Sequence, residues 1–518
     1  MTNKEHPQVN PWIVAIAVMF STFMEVLDTT VVNVSLPHIA GNLSATIQEA
    51  TWVLTSYLVA NAIVLPMTGW LARNYGRKRL LMASIVGFTS ASLLCGLAPN
   101  LPTLVFFRLV QGATGGALQP LSQAVLLESF PPHERGKAMG FWGLGIVVAP
   151  ILGPVLGGWL TDTYSWRWVF YINLPVGIAS LVMTQLYVFD PPYLRQESAR
   201  IDYWGIGMLA VWVGCLQVAL DLGSEHDWFA SQFILFLVVT SVVVSIVFVA
   251  REWLIHDPIV DLHVFKVQTY STGVFLMTTL GFVLYGSLVL LPIMLQTLLG
   301  YPALQAGIAM APRGIGSLIG MPVMGVLTTK MDSRKLVAVG LVGGGFTLIW
   351  LGQLNLNAGY WDIFWPQFFQ GLALSALFVP LTTVSMDPIP RERMGNATSL
   401  FNLMRNLGGS IGIAAAGTML ATKQQQYTNL FGSNVTPYSA ATQRMFSAAR
   451  SGFVTQGSDM TTATHRAYAA LFGSVQQQAA MQAFVSLFRL LGIIFVVLVP
   501  LVLLMRRPQK KGGPIAAH

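Results

Sequence analysis

Two acidic residues, Glu25 and Asp28, lie inside an apolar stretch that begins near Trp12. Their spacing along the chain places both side chains on nearly one face of a helix. Ionised carboxylates are costly in hydrocarbon, and acids found there usually serve a function. Burial and a neighbouring charge can move the proton affinity of a carboxyl group into the working range. We therefore predict that Asp28 carries a proton, and that Glu25 either shares this role or tunes the charge presented to a substrate.

A basic residue, Arg108, lies in a later apolar run. Asp28 and Arg108 each lie about one and a half helical turns from the predicted outer end of their runs, and this similar depth makes an ion pair possible. An unpaired buried arginine would be as costly as an unpaired acid. Arg108 could promote release of the Asp28 proton by stabilising the anion. The alternative is a structural ion pair in which Arg108 anchors helix packing.

The elements that position these residues follow from composition. The chain has 518 residues, of which 54% are hydrophobic and only 10% charged, against about 25% charged in ordinary soluble chains. Long apolar runs and this deficit of charge predict an all-α polytopic membrane protein. The net charge of +8 does not indicate nucleic-acid binding, because the basic residues fall in short loops instead of one patch. The two cysteines, Cys95 and Cys215, lie in apolar runs and signal no disulfide or metal site, and we expect no cleavable signal peptide.

Hydropathy predicts fourteen transmembrane helices. With the N-terminus inside, the inner segments hold 20 Lys and Arg residues and the outer segments hold 5. This asymmetry predicts that both termini are cytoplasmic. The predicted spans are 12–34, 50–71, 80–98, 102–127, 137–160, 168–188, 203–221, 231–250, 271–299, 304–329, 336–354, 362–386, 396–421 and 481–505.

An internal repeat divides the chain. Gly69 and Gly325 each open a basic loop after an apolar run, Gln111-Gly112 is echoed by Gln370-Gly371, and all such matches are offset by 256 to 260 residues. Two parallel six-span repeats with a site between them are the plan of major-facilitator transporters. The predicted domains are an N-terminal six-helix bundle (1–188), a linker with two inserted helices (189–270) and a C-terminal six-helix bundle (271–518).

Seven sequence motifs make the resemblance specific. Read in order along the chain, they are "LDTTVVNVSLP" (27–37), "GWLARNYGRKRL" (69–80), "RLVQGATGGAL" (108–118), "GIVVAPILGPVLGG" (145–158), "WRWVFYINLPVG" (166–177), "LLPIMLQ" (290–296) and "RNLGGSIGIA" (405–414). The sequence resembles a fourteen-span drug:proton antiporter of the major facilitator superfamily, of the EmrB/QacA type and closer to EmrB-like exporters.

This resemblance implies roles for the motif residues in gating and conformational change. One departure is Arg73, because the loop motif commonly has Asp there, so a gating salt bridge of that Asp cannot be carried over. Close helix approach and bending at "GIVVAPILGPVLGG" predict a pliable contact between the halves, with simple helix packing as the alternative. The gating candidates are Gly69, Gly76, Arg77, Lys78, Arg79, Gln111, Gly112, Gly145, Gly153, Pro154, Gly157 and Gly158.

Further polar residues lie within the predicted spans. Asn33, Arg313 and Arg405 are candidates to line a substrate cavity, where cationic side chains would favour anionic or weak-acid substrates. Each arginine, Arg489 included, could instead extend to the interface or hold a carbonyl group.

The outer segment 422–480 differs from the rest of the chain. It is rich in Gln, Ala, Ser and Thr and carries few charges. Residues 443–453 and 465–484 could form short amphipathic helices, although a floppy loop is the alternative. Because EmrB-like exporters usually work with a periplasmic adaptor, this segment is where we expect one to dock.

These observations favour a proton-coupled antiporter that exports amphipathic drugs across the inner membrane, with a membrane-fusion adaptor and an outer-membrane duct as partners. The proton motive force would replace any cofactor, and the lipid bilayer would be its medium. An enzyme is disfavoured because the eight His residues form no ligand motif with Glu or Cys, and an ATP-driven pump because no phosphate-binding loop occurs. The alternatives kept open are a stand-alone exporter of a metabolite, siderophore or fatty acid, and a substrate sensor that does not transport.

Overall fold

A computed structural model describes residues 10–190, 202–255 and 258–505. Every regular element in this part of the chain is helical, and no strand occurs among the described residues. Long apolar sequences without charges satisfy their own backbone hydrogen bonds as helices, which suits a hydrocarbon environment.

The first half of the bundle contains eight helical segments that build six rods. The fourth rod is interrupted near Gly116 and the sixth near Ile172. The segments are α1 (Pro11–Asn42), α2 (Ile47–Tyr75), α3 (Arg77–Leu97), α4 (Leu101–Gly115), α5 (Leu118–Ser129), α6 (Arg135–Thr163), α7 (Trp168–Tyr171) and α8 (Asn173–Tyr187).

The inserted pair consists of α9 (Tyr203–Leu222) and α10 (Gln232–Leu254), which pack on each other. Asp202 caps α9 by accepting the Gly205 N–H at 3.0 Å and binds Arg251 of α10 through two hydrogen bonds of 2.5 and 2.6 Å. Partial burial alone would raise the pKa of Asp202, but the hydrogen bonds and charge of Arg251 hold it below its ordinary value. The ion pair therefore persists at neutral pH and ties the two helices together.

The second half repeats the first. Five of its helices begin 256 to 259 residues after α1, α2, α3, α4 and α6, which confirms the repeat that the sequence predicted. Its segments are α11 (Gln268–Thr297), α12 (Ala303–Lys330), α13 (Ser333–Leu351), α14 (Tyr360–Met386), α15 (Met394–Ser433), α16 (Ala440–Thr455) and α17 (Met460–Val497).

Twelve helices in the described part of the chain are long and apolar enough to cross a membrane. The rod made of α4 and α5 and the more polar α15 pack within the same bundle. The count of fourteen spans and the cytoplasmic placement of the termini remain predictions, and residues 1–9 and 506–518 lie outside the described residues.

The segment 422–480 is helical, so a floppy loop was the wrong alternative. Helix α15 runs twelve residues beyond the predicted span end at 421, and α17 begins at Met460, well before 481. Between them α16 packs on α17, with the Phe446 and Tyr468 rings 4.6 Å apart and Ala463 and Ala467 fully buried. Residues 422–480 therefore form a helical extension, here called the hairpin extension.

Candidate functional site

The Asp28 carboxylate lies in the first half of the bundle and is fully buried. Its Oδ2 accepts a hydrogen bond from Arg108 Nη1 at 2.6 Å, and its Oδ1 accepts from Asn173 Nδ2 at 2.7 Å and Gln111 Nε2 at 3.0 Å. The acid is thus held by one cation and two amides from α4 and α8. Several hydrogen bonds to the charged form stabilise it, so the anion is compatible with this depth.

Arg108 is fully buried as well and is held from several sides. Its Nε donates to the Val53 carbonyl oxygen at 2.9 Å, and its guanidinium lies 4.2 Å from the Tyr57 ring centroid. Its Nη2 has no hydrogen-bond partner among the described residues. The Val53 carbonyl oxygen and the Tyr57 ring therefore hold the guanidinium in place independently of Asp28, which suits both of the roles considered for Arg108.

Glu25 lies one helical turn from Asp28 and is 5% exposed. Its Oε1 accepts a hydrogen bond from Asn61 Nδ2 at 2.9 Å, whereas its Oε2 is buried without a partner among the described residues. Arg405 of the second half is close enough to interact electrostatically with Glu25. Glu25 therefore differs from Asp28, because the other half of the bundle contributes to its surroundings.

Contacts between the halves gather at the end of the bundle that carries the loop between α2 and α3, here called the basic end. Between α5 and α15, Asn402 Nδ2 donates to Gln123 Oε1 at 2.6 Å and Arg405 Nη2 donates to Gln119 Oε1 at 2.6 Å. Between α2 and α15, a Cβ added to Gly69 would lie 2.7 Å from the Asn396 backbone. The basic end is therefore closed.

The basic loop itself is firmly anchored. Gly76 has φ of 85°, a conformation that L side chains rarely adopt. Arg77 forms a buried ion pair with Glu128 of α5. Lys78 donates its backbone N–H to Asp190 Oδ1 at 2.8 Å, whereas Arg79 is exposed.

Arg73 stands where this loop commonly has an acid, and in the described part of the chain it forms no hydrogen bond or ion pair with α15. Its Nη2 lies 3.5 Å from the Pro258 carbonyl oxygen, in the linker between α10 and α11. The same linker holds the start of α15, because the Asn396 side chain donates to the Asp261 carbonyl oxygen at 2.7 Å and accepts its N–H at 3.1 Å. The linker that follows α10 therefore contacts both α2 and the start of α15, and these contacts do not require an acid at position 73.

The glycines of α6 correct one prediction. Gly153 lies against Thr30 of α1 and Gly157 against Val31 of α1, so these residues pack within the first half. The glycines of α6 that contact the second half come earlier, as Gly140 lies against Met321 of α12. At about 100° per residue, Gly140 lies about 140° around the helix axis from Gly153 and about 100° from Gly157.

The other gating candidates vary in their surroundings. Gly112 lies directly on the Tyr57 carbonyl, and Gly145 lies against Met19 of α1. Nothing lies within 4 Å of a Cβ added to Gly158, and the side chain of Pro154 is outside the described residues.

The three substrate-cavity candidates differ in their surroundings. Asn33 is exposed and Arg313 is half-buried, whereas Arg405 is 4% exposed and engaged with Gln119. A cavity of about 390 Å³ lies at the basic end beside Arg73 and Asp261.

Sequence analysis missed the amides that complete the site. Asn173 bonds Asp28 and the Ser92 hydroxyl, Asn61 bonds Glu25, and Gln123 bonds Asn402. The available signal was an amide side chain inside an otherwise apolar run, because a buried amide needs hydrogen-bond partners.

Known proteins resemble this chain over most of its length. The Major Facilitator Superfamily profile matches residues 18–413. The multidrug export protein EmrB of Escherichia coli K12 is 41% identical over 437 residues, covering 84% of this chain and 85% of that protein. The fatty acid resistance protein FarB of Neisseria gonorrhoeae is 38% identical, covering 96% of this chain and 97% of that protein.

A solved structure supports the fold alone. The human organic anion transporter MFSD10 (TETRAN) superposes with a TM-score of 0.61 at 12% identity, covering 96% of this chain and 100% of that chain. Taken with the profile match and the relatives, these similarities show that the chain is a multi-pass membrane protein of the Major Facilitator Superfamily, similar over most of its length to EmrB-type exporters.

Proposed function

We propose that this protein is a proton-coupled antiporter that exports amphipathic compounds across the inner membrane. The observation that carries the proposal is the buried Asp28–Arg108 pair with its two amide donors. A carboxylate this deep in a transmembrane bundle, beside a fixed cation, is suited to exchange a proton as its surroundings change. The relatives are named for multidrug export and fatty acid resistance. These names support amphipathic substrates for this protein, weak acids included.

The proposed cycle alternates between two closures of the bundle. In the described conformation the basic end is held shut by contacts such as Gln123–Asn402 and Gly69–Asn396. Protonation at the carboxylate site would accompany substrate release from this state. Rocking of the halves would then open the basic end, where loss of the proton and substrate binding prepare the next turn.

The energetics are adequate for export. One charge moved across 100 mV is worth about 2.3 kcal/mol, and one pH unit adds about 1.4 kcal/mol. One proton per turn could therefore concentrate a substrate by about two to three decades.

The test uses the purified protein in vesicles with an imposed pH gradient. Asp28→Asn should abolish gradient-driven substrate movement while the protein remains folded, whereas Asp162→Asn, at an exposed carboxylate, should transport as the unchanged protein does. Wild-type rates in the Asp28→Asn protein would overturn the assignment. Absence of movement by the unchanged protein, together with substrate binding, would favour a sensor.

We also propose that the hairpin extension docks a periplasmic adaptor that leads to an outer-membrane duct. It projects apolar residues with little charge, among them Tyr438, Met445 and Phe472, all more than half exposed. An apolar surface of this kind suits a protein partner better than free solvent.

Replacement of Thr428–Val475 by a short Gly/Ser linker should spare exchange in vesicles but abolish cellular resistance and co-purification of the adaptor. Asp459→Asn, a substitution confined to the cap of α17, is the control that should retain all three. Full cellular resistance without the hairpin extension would instead indicate a stand-alone exporter, including one of a metabolite, siderophore or fatty acid. A drug-susceptibility panel on a deletion strain and its complement would identify the substrates.

A further inference from the structure

The inserted helix α9 lies across the seam between α2 of the first half and α15 of the second half. On the α2 side, a Cβ added to Gly214 would meet Val59 and Ile63 at an ordinary packing distance of 3.8 Å. On the α15 side, Ser410 Oγ donates a hydrogen bond to Gln217 Oε1 at 3.0 Å. Helix α9 therefore contacts both halves.

The hydrogen bond across the seam belongs to a longer polar chain. Gln217 Nε2 donates to Asp221 Oδ1 at 3.0 Å, as their spacing of four residues on one helix allows. The Thr55 hydroxyl of α2 also faces this carboxylate. Asp221 Oδ2 is buried and accepts no hydrogen bond of good geometry from the described residues. Asp221 thus has one oxygen engaged and one available for a proton.

No charged side chain of the described residues competes for Asp221. The groups that act on Asp221 are the Thr55 hydroxyl from α2 and the Gln217 amide on α9 itself. Helix α15 is connected to it through the Ser410–Gln217 hydrogen bond. The titratable residues of the following loop, Glu225, His226 and Asp227, are exposed. Protonation of Asp221 would therefore act mainly on its hydrogen bond with Gln217.

The charge of Asp221 controls the strength of the seam contact. An ionised carboxylate only accepts hydrogen bonds, so it holds the Gln217 amide with its NH₂ toward Asp221 and its oxygen toward Ser410. Such charge-assisted bonds are roughly twice as strong as neutral ones, and bonded chains polarise one another. A protonated Asp221 loses that assistance and can donate its own proton to Gln217 Oε1, in competition with Ser410.

Since α2 and α15 belong to different halves, a rocking movement changes the distance spanned by the hydrogen bonds that link Asp221, Gln217 and Ser410. We propose that Asp221 is a further proton-responsive positioning residue of the transport cycle, which tightens the seam between the halves through Gln217 and Ser410 when it is ionised. The inference rests on the proposed proton-driven cycle and gives the inserted pair a part in it.

The test measures hydrogen–deuterium exchange of the full chain in lipid nanodiscs from pH 5.5 to 8.5, corrected for the intrinsic pH dependence of exchange. Peptides from the outer part of α9 and from α15 around Ser410 should gain about threefold to tenfold protection as pH rises, as expected for one hydrogen bond. Asp221→Asn should remove this pH step and stay at the low-pH level. Asp227→Asn, a matched change at an exposed residue with φ of 54°, should keep the step.

Ser410→Ala should lower protection at high pH, and addition of Asp221→Asn should change nothing further, because both act on one chain. Gln217→Met should give the same result and serves if Ser410→Ala folds poorly. A pH step that persists in Asp221→Asn, or effects of Asp221→Asn and Ser410→Ala that add, would overturn the inference. In Asp28→Asn protein the step should remain although export is lost, so failure of the proposed function and failure of this inference give different results.

Discussion

Substitution of Asp28 and substitution of Arg108 should lower the free energy of unfolding by unequal amounts. Asp28→Asn leaves Arg108 with the Val53 carbonyl oxygen, the Gln111 amide oxygen and the Tyr57 ring, but without an anion. Arginine cannot shed its proton in a protein, so the buried charge remains. Removal of one partner of a buried pair typically costs 3–5 kcal/mol. Because the new amide keeps the size of the old carboxyl group, we expect about 3 kcal/mol with the fold retained.

Arg108→Gln should cost less at low pH, since Asp28 can bind a proton and become neutral. In this variant Asp28 keeps the hydrogen bonds that Asn173 and Gln111 donate to it. As pH rises the proton must be given up, and the cost of Arg108→Gln should increase. The double variant should be close to the less costly single variant, which corresponds to a coupling energy of about 2–3 kcal/mol.

The free energies of unfolding of these variants can be measured by equilibrium unfolding in mixed micelles, with the fluorescence of the 14 tryptophans as the signal. Asp162→Asn, at an ion pair whose side chains are 51% and 74% exposed, is the control and should cause no measurable change. Single-variant costs that add to within about 0.5 kcal/mol, or an Arg108→Gln cost independent of pH, would refute the account of a proton-exchanging pair.

Three further predictions can be tested directly. Glu25→Gln should reduce transport less than Asp28→Asn and narrow the substrate range, and complete loss of transport would reverse their ranking. Gly69→Ala should weaken closure of the basic end, because its Cβ would meet the Asn396 backbone at 2.7 Å, whereas Gly158→Ala meets nothing within 4 Å and should be silent; a spin-label distance across the basic end distinguishes them. Cysteine labelling tests the topology: a cysteine at position 196 should react from the cytoplasm, and cysteines at Ser224 and Ser458 should react from the outer side. Gln196 is not among the described residues.

The sequence alone determined the features that depend on local pattern. Hydropathy located the helices, because a segment that crosses hydrocarbon must be apolar and helical throughout. The repeat offset of 256 to 260 residues was visible in short matches and recurs in the helix starts. The depth of Asp28 and Arg108 followed from counting residues along two spans, since rise per residue in a helix is constant.

Tertiary structure decided which side chains meet. The partners Asn173 and Asp28 are 145 residues apart, and Gln119 and Arg405 are 286 apart, so no local pattern relates them. The prediction that Gly153 and Gly157 join the halves failed for the same reason, because a glycine-rich face shows that a helix packs closely but not against which neighbour. Asp221 lay near a span end in the sequence, and only the position of α9 between α2 and α15 connects it to Ser410. Helix rotation and neighbour identity depend on long-range packing, which a single sequence does not encode position by position.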